Sequence, residues 1–195
     1  AAIVCSSLYV LSLNANVHIV SLNGSDNPLM RDEKIYQQTA QYLLKDSLTA
    51  KTKLTINTAS FIRAMKARFP ELSHVSVTLP LMGHRPIVEI ASPAPVALLA
   101  NEQNRLFVID SQGRALLPAN ETNDIAARKL PTITDQSTTP VEIGQPVITA
   151  QDAGFIAEAI GQLRAKKLEV SSLVMPITAN ELHLKLNGLN YILKF

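Results

Sequence analysis

From Phe69 to Leu117 the chain reads FPELSHVSVTLPLMGHRPIVEIASPAPVALLANEQNRLFVIDSQGRALL. Val75, Val77 and Leu79 share one side of an extended backbone, and His74, Ser76 and Thr78 share the other. That period of two predicts a half-buried strand. A second apolar strand follows the loop from Pro80 to Pro86. Ser92-Pro93-Ala94-Pro95 then stiffens the chain and forbids helix, which makes it the best domain joint in the sequence. Beyond it, Val96 to Leu99, Leu106 to Ile109 and Ala115 to Leu117 read as short strands. Asp110-Ser111-Gln112-Gly113 has Asp first and Gly last, the chemistry of a tight turn.

Ahead of this segment, Asn16 to Leu22 alternates and predicts a strand with Val17, Ile19 and Ser21 facing inward. The run from Asn23 to Pro28 is a strong break. Arg31 to Lys45 predicts a helix with Ile35, Thr39, Tyr42 and Leu43 on its inner side. Thr58 to Phe69 predicts a second, with Phe61, Ile62, Met65 and Phe69 at helical spacing, Asn57 or Thr58 as N-cap and Pro70 as its stop. The order is therefore β-α-α-β-β across residues 16–92.

After the joint, Asn120 to Gln145 reads as loop, with Pro131 and Pro140 inside it. Thr149-Ala150-Gln151-Asp152 resembles a capping box opening a helix to about Lys167, with Ile156, Ala159, Ile160 and Leu163 buried. Lys166 and Lys167 fall in its last turn, where positive charge suits the helix dipole. Strands recur from Val170 to Pro176, Glu181 to Leu186 and Asn190 to Phe195. In the middle one Leu182, Leu184 and Leu186 point one way, and Glu181, His183 and Lys185 the other. The fold class expected is α+β, the segment 95–195 forming a β-rich domain with one main helix.

The first 13 residues, AAIVCSSLYVLSL, are uncharged and interrupted only by serines. A soluble helix would show a polar face, and a signal-peptide core would lead into a small-x-small cleavage site. The run is short of the ~20 residues a membrane span needs. The expectation is the end of a transmembrane helix. Cys5 lies inside it, and a single thiol makes neither an internal disulfide nor a multi-cysteine metal site. A small apolar filler is the simplest role for it, with lipidation or redox chemistry as alternatives.

Composition removes several functions. Apolar residues make up 47% and charged residues 17%, which excludes disorder for 195 residues. The net charge of +2 comes from scattered Lys and Arg, so no basic stripe offers itself to a phosphate backbone. Trp is absent and aromatics are 5%, which argues against stacking single-stranded bases. Nucleic acid is not an expected partner.

Candidate chemistry is equally sparse. His18, His74, His84 and His183 are spread along the chain, and none pairs with a second ligand at metal-binding spacing. No nucleophile elbow, Walker loop or dinucleotide fingerprint occurs. Asp32 and Glu33 begin a helix, Asp110 caps a turn and Asp152 sits in a first helical turn, all structural locations. Glu89 is the one acid in its strand and reads as either a rim residue or a buried acid. Asn23-Gly24-Ser25 and Asn120-Glu121-Thr122 fit the N-glycosylation triplet, a pattern that also arises by chance. Neither a catalytic site, a metal, a cofactor nor a small-molecule substrate is expected.

Taken together the chain resembles the extracytoplasmic part of the FtsQ/DivIB cell-division family, which has one transmembrane helix, a POTRA domain of order β-α-α-β-β and a β domain. NVHIVSLNGS is similar to the family's first strand and Gly turn. FIRAMKARFPELSHVSV is similar to its second helix, Phe-Pro step and Val-x-Val strand. PVALLANEQNRLFVIDSQGRALL is similar to its joint, its strand ending in Ile-Asp-x-x-Gly and the strand after it. TAQDAGFIAEAIGQL and ELHLKLNGLNYILKF resemble its later helix and hairpin. The chain departs from the family at Leu81 to Arg85, where a short Pro-x-Thr-Leu turn is usual, and at Ser92-Pro93, where Glu-Arg is common.

The resemblance implies a single-pass protein of the cytoplasmic membrane, its bulk extracytoplasmic at the division septum. Its role would be to recruit and regulate septal peptidoglycan synthesis without chemistry of its own. The implied partners are FtsB/FtsL-like divisome membrane proteins. The family continues with a final helix and an edge strand that binds that partner, and this chain is expected to stop before them. Within it the candidate partner-binding edge is the last strand, with Tyr191, Leu193 and Phe195 on one face. Those three side chains either remain exposed or pack against the helix at Ile156 to Leu163, leaving the backbone edge available.

Two other readings share parts of the pattern. A POTRA chaperone module of outer-membrane barrel assembly or two-partner secretion also has the β-α-α-β-β order, but it comes with repeats and a barrel. No repeat occurs here. An envelope hydrolase would need two acids or a Ser-His pair converging in one pocket.

Overall fold

The computed structural model describes residues 16–24, 27–46, 57–80, 84–126, 128–136, 140–176, 181–188 and 192–194. These residues form an α+β protein of three helices and two sheets, with sheet the larger part. The chain divides into two compact units, Ala1–Ser92 and Pro93–Phe195. The expected membrane-helix end at residues 1–13, Cys5 included, lies outside the described residues. Among the described residues no helix is long and apolar enough to cross a membrane.

In the first unit β1 (His18–Ser21) leads to α1 (Glu33–Asp46), α2 (Thr58–Arg68), β2 (His74–Thr78) and β3 (Ile87–Ala91). The last strand lies in the middle of the sheet, parallel to β1 and antiparallel to β2. Alternation places Val88 and Ile90 of β3 in the core together with Ile19 of β1 and Val75 of β2. Both helices lay their apolar stripes on that face, α1 through Tyr36, Ala40 and Leu44 and α2 through Phe61 and Met65. The Asn57 side chain accepts from the Ser60 amide to cap α2, and Phe69 and Leu72 carry the core past its end.

Two expected orientations are wrong. Ser21 faces solvent rather than the core, where β1 ends. On α1 the buried row is 36, 40, 44; of the expected 35, 39, 42 and 43, Leu43 packs against the core, but Ile35 and Tyr42 are exposed, Tyr42 to 67%. Both rows contain an aromatic, so spacing alone does not separate them. What selects Tyr36 is tertiary. Its ring meets Phe69 edge-on at 4.8 Å between centroids, and its hydroxyl donates to Glu71 Oε1 at 3.2 Å.

The second unit is a seven-stranded mixed sheet in the order β10-β9-β8-β7-β4-β5-β6. Its members are β4 (Pro95–Ala100), β5 (Leu106–Asp110), β6 (Ala115–Pro118), β7 (Thr132–Asp135), β8 (Val170–Met175), β9 (His183–Leu186) and β10 (Ile192–Lys194). The segment read as loop from Asn120 to Gln145 hides β7, which runs parallel to both β4 and β8 in the middle of the sheet. Four residues after a proline, with Ile133 as the one buried apolar side chain, give too short a pattern to stand out.

One helix, α3 (Ala150–Ala165), covers a face of this sheet through Ala153, Ile156 and Ile160 against Leu99, Ile109, Ile133, Leu173 and Leu184. Ala159 and Leu163, expected in the same stripe, are half-buried beside it. Half of the expected capping box forms: Thr149 Oγ1 accepts from the Asp152 amide at 3.1 Å, while the Asp152 carboxylate takes a 2.6 Å bond from the Thr149 hydroxyl rather than from its backbone amide.

The two edges of the sheet differ. At β6 the segment 144–147 runs alongside, the Ala115 amide donating to Gln145 O and its carbonyl accepting from the Gly144 amide. Val147 and Ile148 both donate to Gly113 O. The backbone groups of Ala115 and Gly113 are thereby satisfied, and the start of that edge is covered. At β10 no further strand follows among the described residues.

Candidate partner-binding edge

The open edge is built by alternation along a hairpin. In β9 and just before it, Leu182, Leu184 and Leu186 are buried while Glu181 and Lys185 are exposed. β10 pairs antiparallel with β9 in the register Lys185 with Ile192, Leu184 with Leu193 and His183 with Lys194. Directly opposed residues share a face. Leu193 therefore joins Leu184 on the core side, half-buried, and Ile192 and Lys194 share the other face with Lys185 and His183. Of the three residues expected at this edge, the structure places Leu193; Tyr191 and Phe195 lie outside the described residues.

Beside Leu193, α3 and the hairpin enclose a groove of about 290 Å³. Phe155, Leu163, Leu184 and Leu193 line it, and Glu158 and Lys166 carry opposite charges on its helix side. Gln162 Nε2 donates to Glu158 Oε1 at 3.1 Å, so the helix side is already partly ordered.

On the opposite face lies a small charged cluster, of which only the Lys194 contact crosses between the two strands. His183 Nε2 lies 2.9 Å from Glu181 Oε2, and Lys194 Nζ lies 3.9 Å from the same oxygen. The His183 hydrogen bond, helped by the Lys194 charge, holds the Glu181 carboxyl below its usual range. Because the cluster is solvated, it adds little to stability.

The other residues singled out in the sequence have structural partners. Asp32 Oδ1 accepts from the Lys34 amide at the start of α1. Glu89 takes a 2.7 Å bond from Ser76 Oγ across the β2–β3 pair, on the face away from the core. Asp110 is fully buried: Oδ1 accepts from the Gln112 and Arg114 amides, and Oδ2 from the Arg114 guanidinium at 2.7 Å. His18 and His74 face solvent. Among the described residues no group of three or more His, Cys, Asp and Glu side chains is placed to hold a metal ion.

Sequence reasoning missed two buried polar nodes. Glu71, in the turn after α2, is fully buried with Arg31 Nε 2.8 Å from its Oε1. Asn23 bonds to Ser92 across the first unit. Neither has a local signal, because the partners stand 40 and 69 residues apart.

Among the described residues no strand pairs with the outer side of β10, which leaves main-chain groups beside a groove, the equipment for adding a strand from another chain. Compared with known proteins, the chain matches no family model and no curated protein.

Proposed function

We propose that this chain is the extracytoplasmic part of an FtsQ/DivIB-like protein: a non-enzymatic, single-pass scaffold of the cytoplasmic membrane at the division septum. The first unit is read as its POTRA domain. The β-α-α-β-β order, with the last strand central and both helices on one face, supports that reading. The second unit is read as the β domain that engages FtsB/FtsL-like membrane partners and through them regulates septal peptidoglycan synthesis.

The observation that carries the proposal is the inequality of the two sheet edges. The start of the β6 edge is covered by the chain's own backbone, whereas among the described residues β10 ends the sheet beside a groove lined by Leu163, Leu184 and Leu193. A partner strand added to β10 gains main-chain hydrogen bonds, and its alternate side chains reach the groove.

Proline substitution tests this. Successive residues of an antiparallel strand point their amides to opposite sides, so of Ile192→Pro and Leu193→Pro one removes an outward donor and the other an inward one. In cells depleted of the wild-type protein, the variant that keeps the thermal stability of the second unit is expected to fail to restore division. If both variants restore it while a tagged copy stays in place, the edge is not the working surface.

A further inference from the structure

Asn23 closes the first unit. It follows β1, and its side chain spans to Ser92, the last residue before the Pro93 joint. Oδ1 accepts from the Ser92 amide at 3.0 Å. Nδ2 is shared among Asn27 O at 2.8 Å, Ser92 O at 3.1 Å and Ser92 Oγ at 3.2 Å. Ser92 is buried, and Asn27 Nδ2 reaches the same Ser92 carbonyl at 3.4 Å. The primary amide is therefore used as both donor and acceptor, a pattern that an ionised Asp, an acceptor only, does not reproduce.

The residue after it is Gly24, where a Cβ would meet nothing within 4 Å. An Asn followed by an unhindered Gly carries a chemical liability. The Gly nitrogen can attack Cγ of the Asn side chain, forming a C–N bond as the Cγ–Nδ2 bond breaks and ammonia departs with the amide proton. Water then opens the cyclic imide to Asp or to isoaspartate. To close that ring the side chain must turn back along its own backbone, which it cannot do while Oδ1 and Nδ2 are bonded to Ser92.

We propose that Asn23–Gly24 is a non-enzymatic deamidation site gated by the latch to Ser92. Folded, the four contacts hold Cγ away from Gly24 and the reaction is suppressed. Local opening of the end of β1 exposes it. Once formed, the product does not close again in the same way. A carboxylate at position 23 has no N–H for the Asn27 and Ser92 carbonyls and sets negative charge against both, and the isoaspartate form lengthens the backbone by one carbon. Deamidation thus converts an opening of the first unit into a permanent one.

The test is peptide mapping of the full chain incubated at mildly alkaline pH, natively and in urea, following the one-dalton gain on the peptide containing Asn23. The native rate is expected to be lower than the urea rate by at least about tenfold, the protection that opening several hydrogen bonds implies. Ser92→Ala, which removes one contact and leaves the unit folded, is expected to raise the native rate. Gly24→Ala, for which the site has space, is expected to slow the reaction in urea as well. Asn23→Asp, standing for the product, is expected to speed hydrogen exchange of the Ser92 amide. Equal rates in native buffer and urea, or no reaction in urea, overturn the proposal. So does Asn23→Asp with wild-type exchange at Ser92.

Discussion

Arg31 Nε lies 2.8 Å from Glu71 Oε1, joining the residue ahead of α1 to the turn after α2. The guanidinium also stands 6.0 Å from the centre of the Phe69 ring, and Tyr36 donates to the same carboxylate oxygen. Glu71 is fully buried, and both donors converge on Oε1 while Oε2 has no hydrogen-bond partner, so the cost of burial is only partly offset. The cluster ties the start of α1 to the turn after α2.

Removing one partner leaves the other buried without compensation. Glu71→Ala is expected to lower the stability of the first unit by about 3 kcal/mol, and Arg31→Ala by a similar or smaller amount. The double variant should cost less than the sum of the two. Urea unfolding followed by probes in the first unit checks this, and strict additivity would mean the pair is not coupled.

Tyr36 carries a pH dependence. Burial, reinforced by the neighbouring Glu71 charge, pushes its hydroxyl well above the ordinary tyrosine value. A folded pKa raised above the unfolded one, about 10, gives stability that is whole below pH ~10 and is lost as pH rises toward the folded value. Tyr36→Phe is expected to cost about 1 kcal/mol at neutral pH through the lost bond to Glu71. It should also flatten the decline above pH ~10 relative to wild type. Parallel alkaline declines in the two proteins would contradict this.

Much of the fold is legible in the sequence where neighbours within a few residues decide the outcome. Asn57 and Pro70 bracket α2, Thr149 and Asp152 start α3, and the alternation of Leu182, Leu184 and Leu186 marks the core face of β9. Legibility fails where a distant partner decides. The inner row of α1 is chosen by Glu71 and Phe69, and β7 exists because β4 and β8 flank it. Of the candidate edge, the face taken by Leu193 follows from its pairing with Leu184, a register that periodicity alone does not give.

Gly113 holds the segment that covers the start of β6. Its φ is +74°, and a Cβ there would lie inside contact distance of the Ile148 carbonyl oxygen, which is backbone and cannot swing aside. Gly113→Ala is expected to cost at least about 2 kcal/mol and to detach the segment beside β6. The exposed strand should then promote self-association, visible by light scattering. An unchanged melting temperature with a monodisperse protein would refute the role.

Helix α3 contains avoidable costs on its outer side. Gly154 and Gly161 are exposed mid-helix, with open space where a Cβ would stand. Each glycine-to-alanine change is expected to stabilise the second unit by about 0.5–1 kcal/mol. Lys167 follows the helix at φ +57°, where the Leu168 amide closes back onto Leu163 O. Lys167→Gly should therefore stabilise by a further ~1 kcal/mol. Thermal melts of the single variants decide, and destabilisation by either alanine would place that face against another surface.

The scaffold reading itself is tested most directly by imaging. A fluorescent tag on the N-terminus of the full-length protein, expressed in its own dividing cells, should give a band at mid-cell, and depletion of the protein should produce filaments. Uniform envelope signal with normal division after depletion would contradict the account and favour an outer-membrane assembly or secretion module.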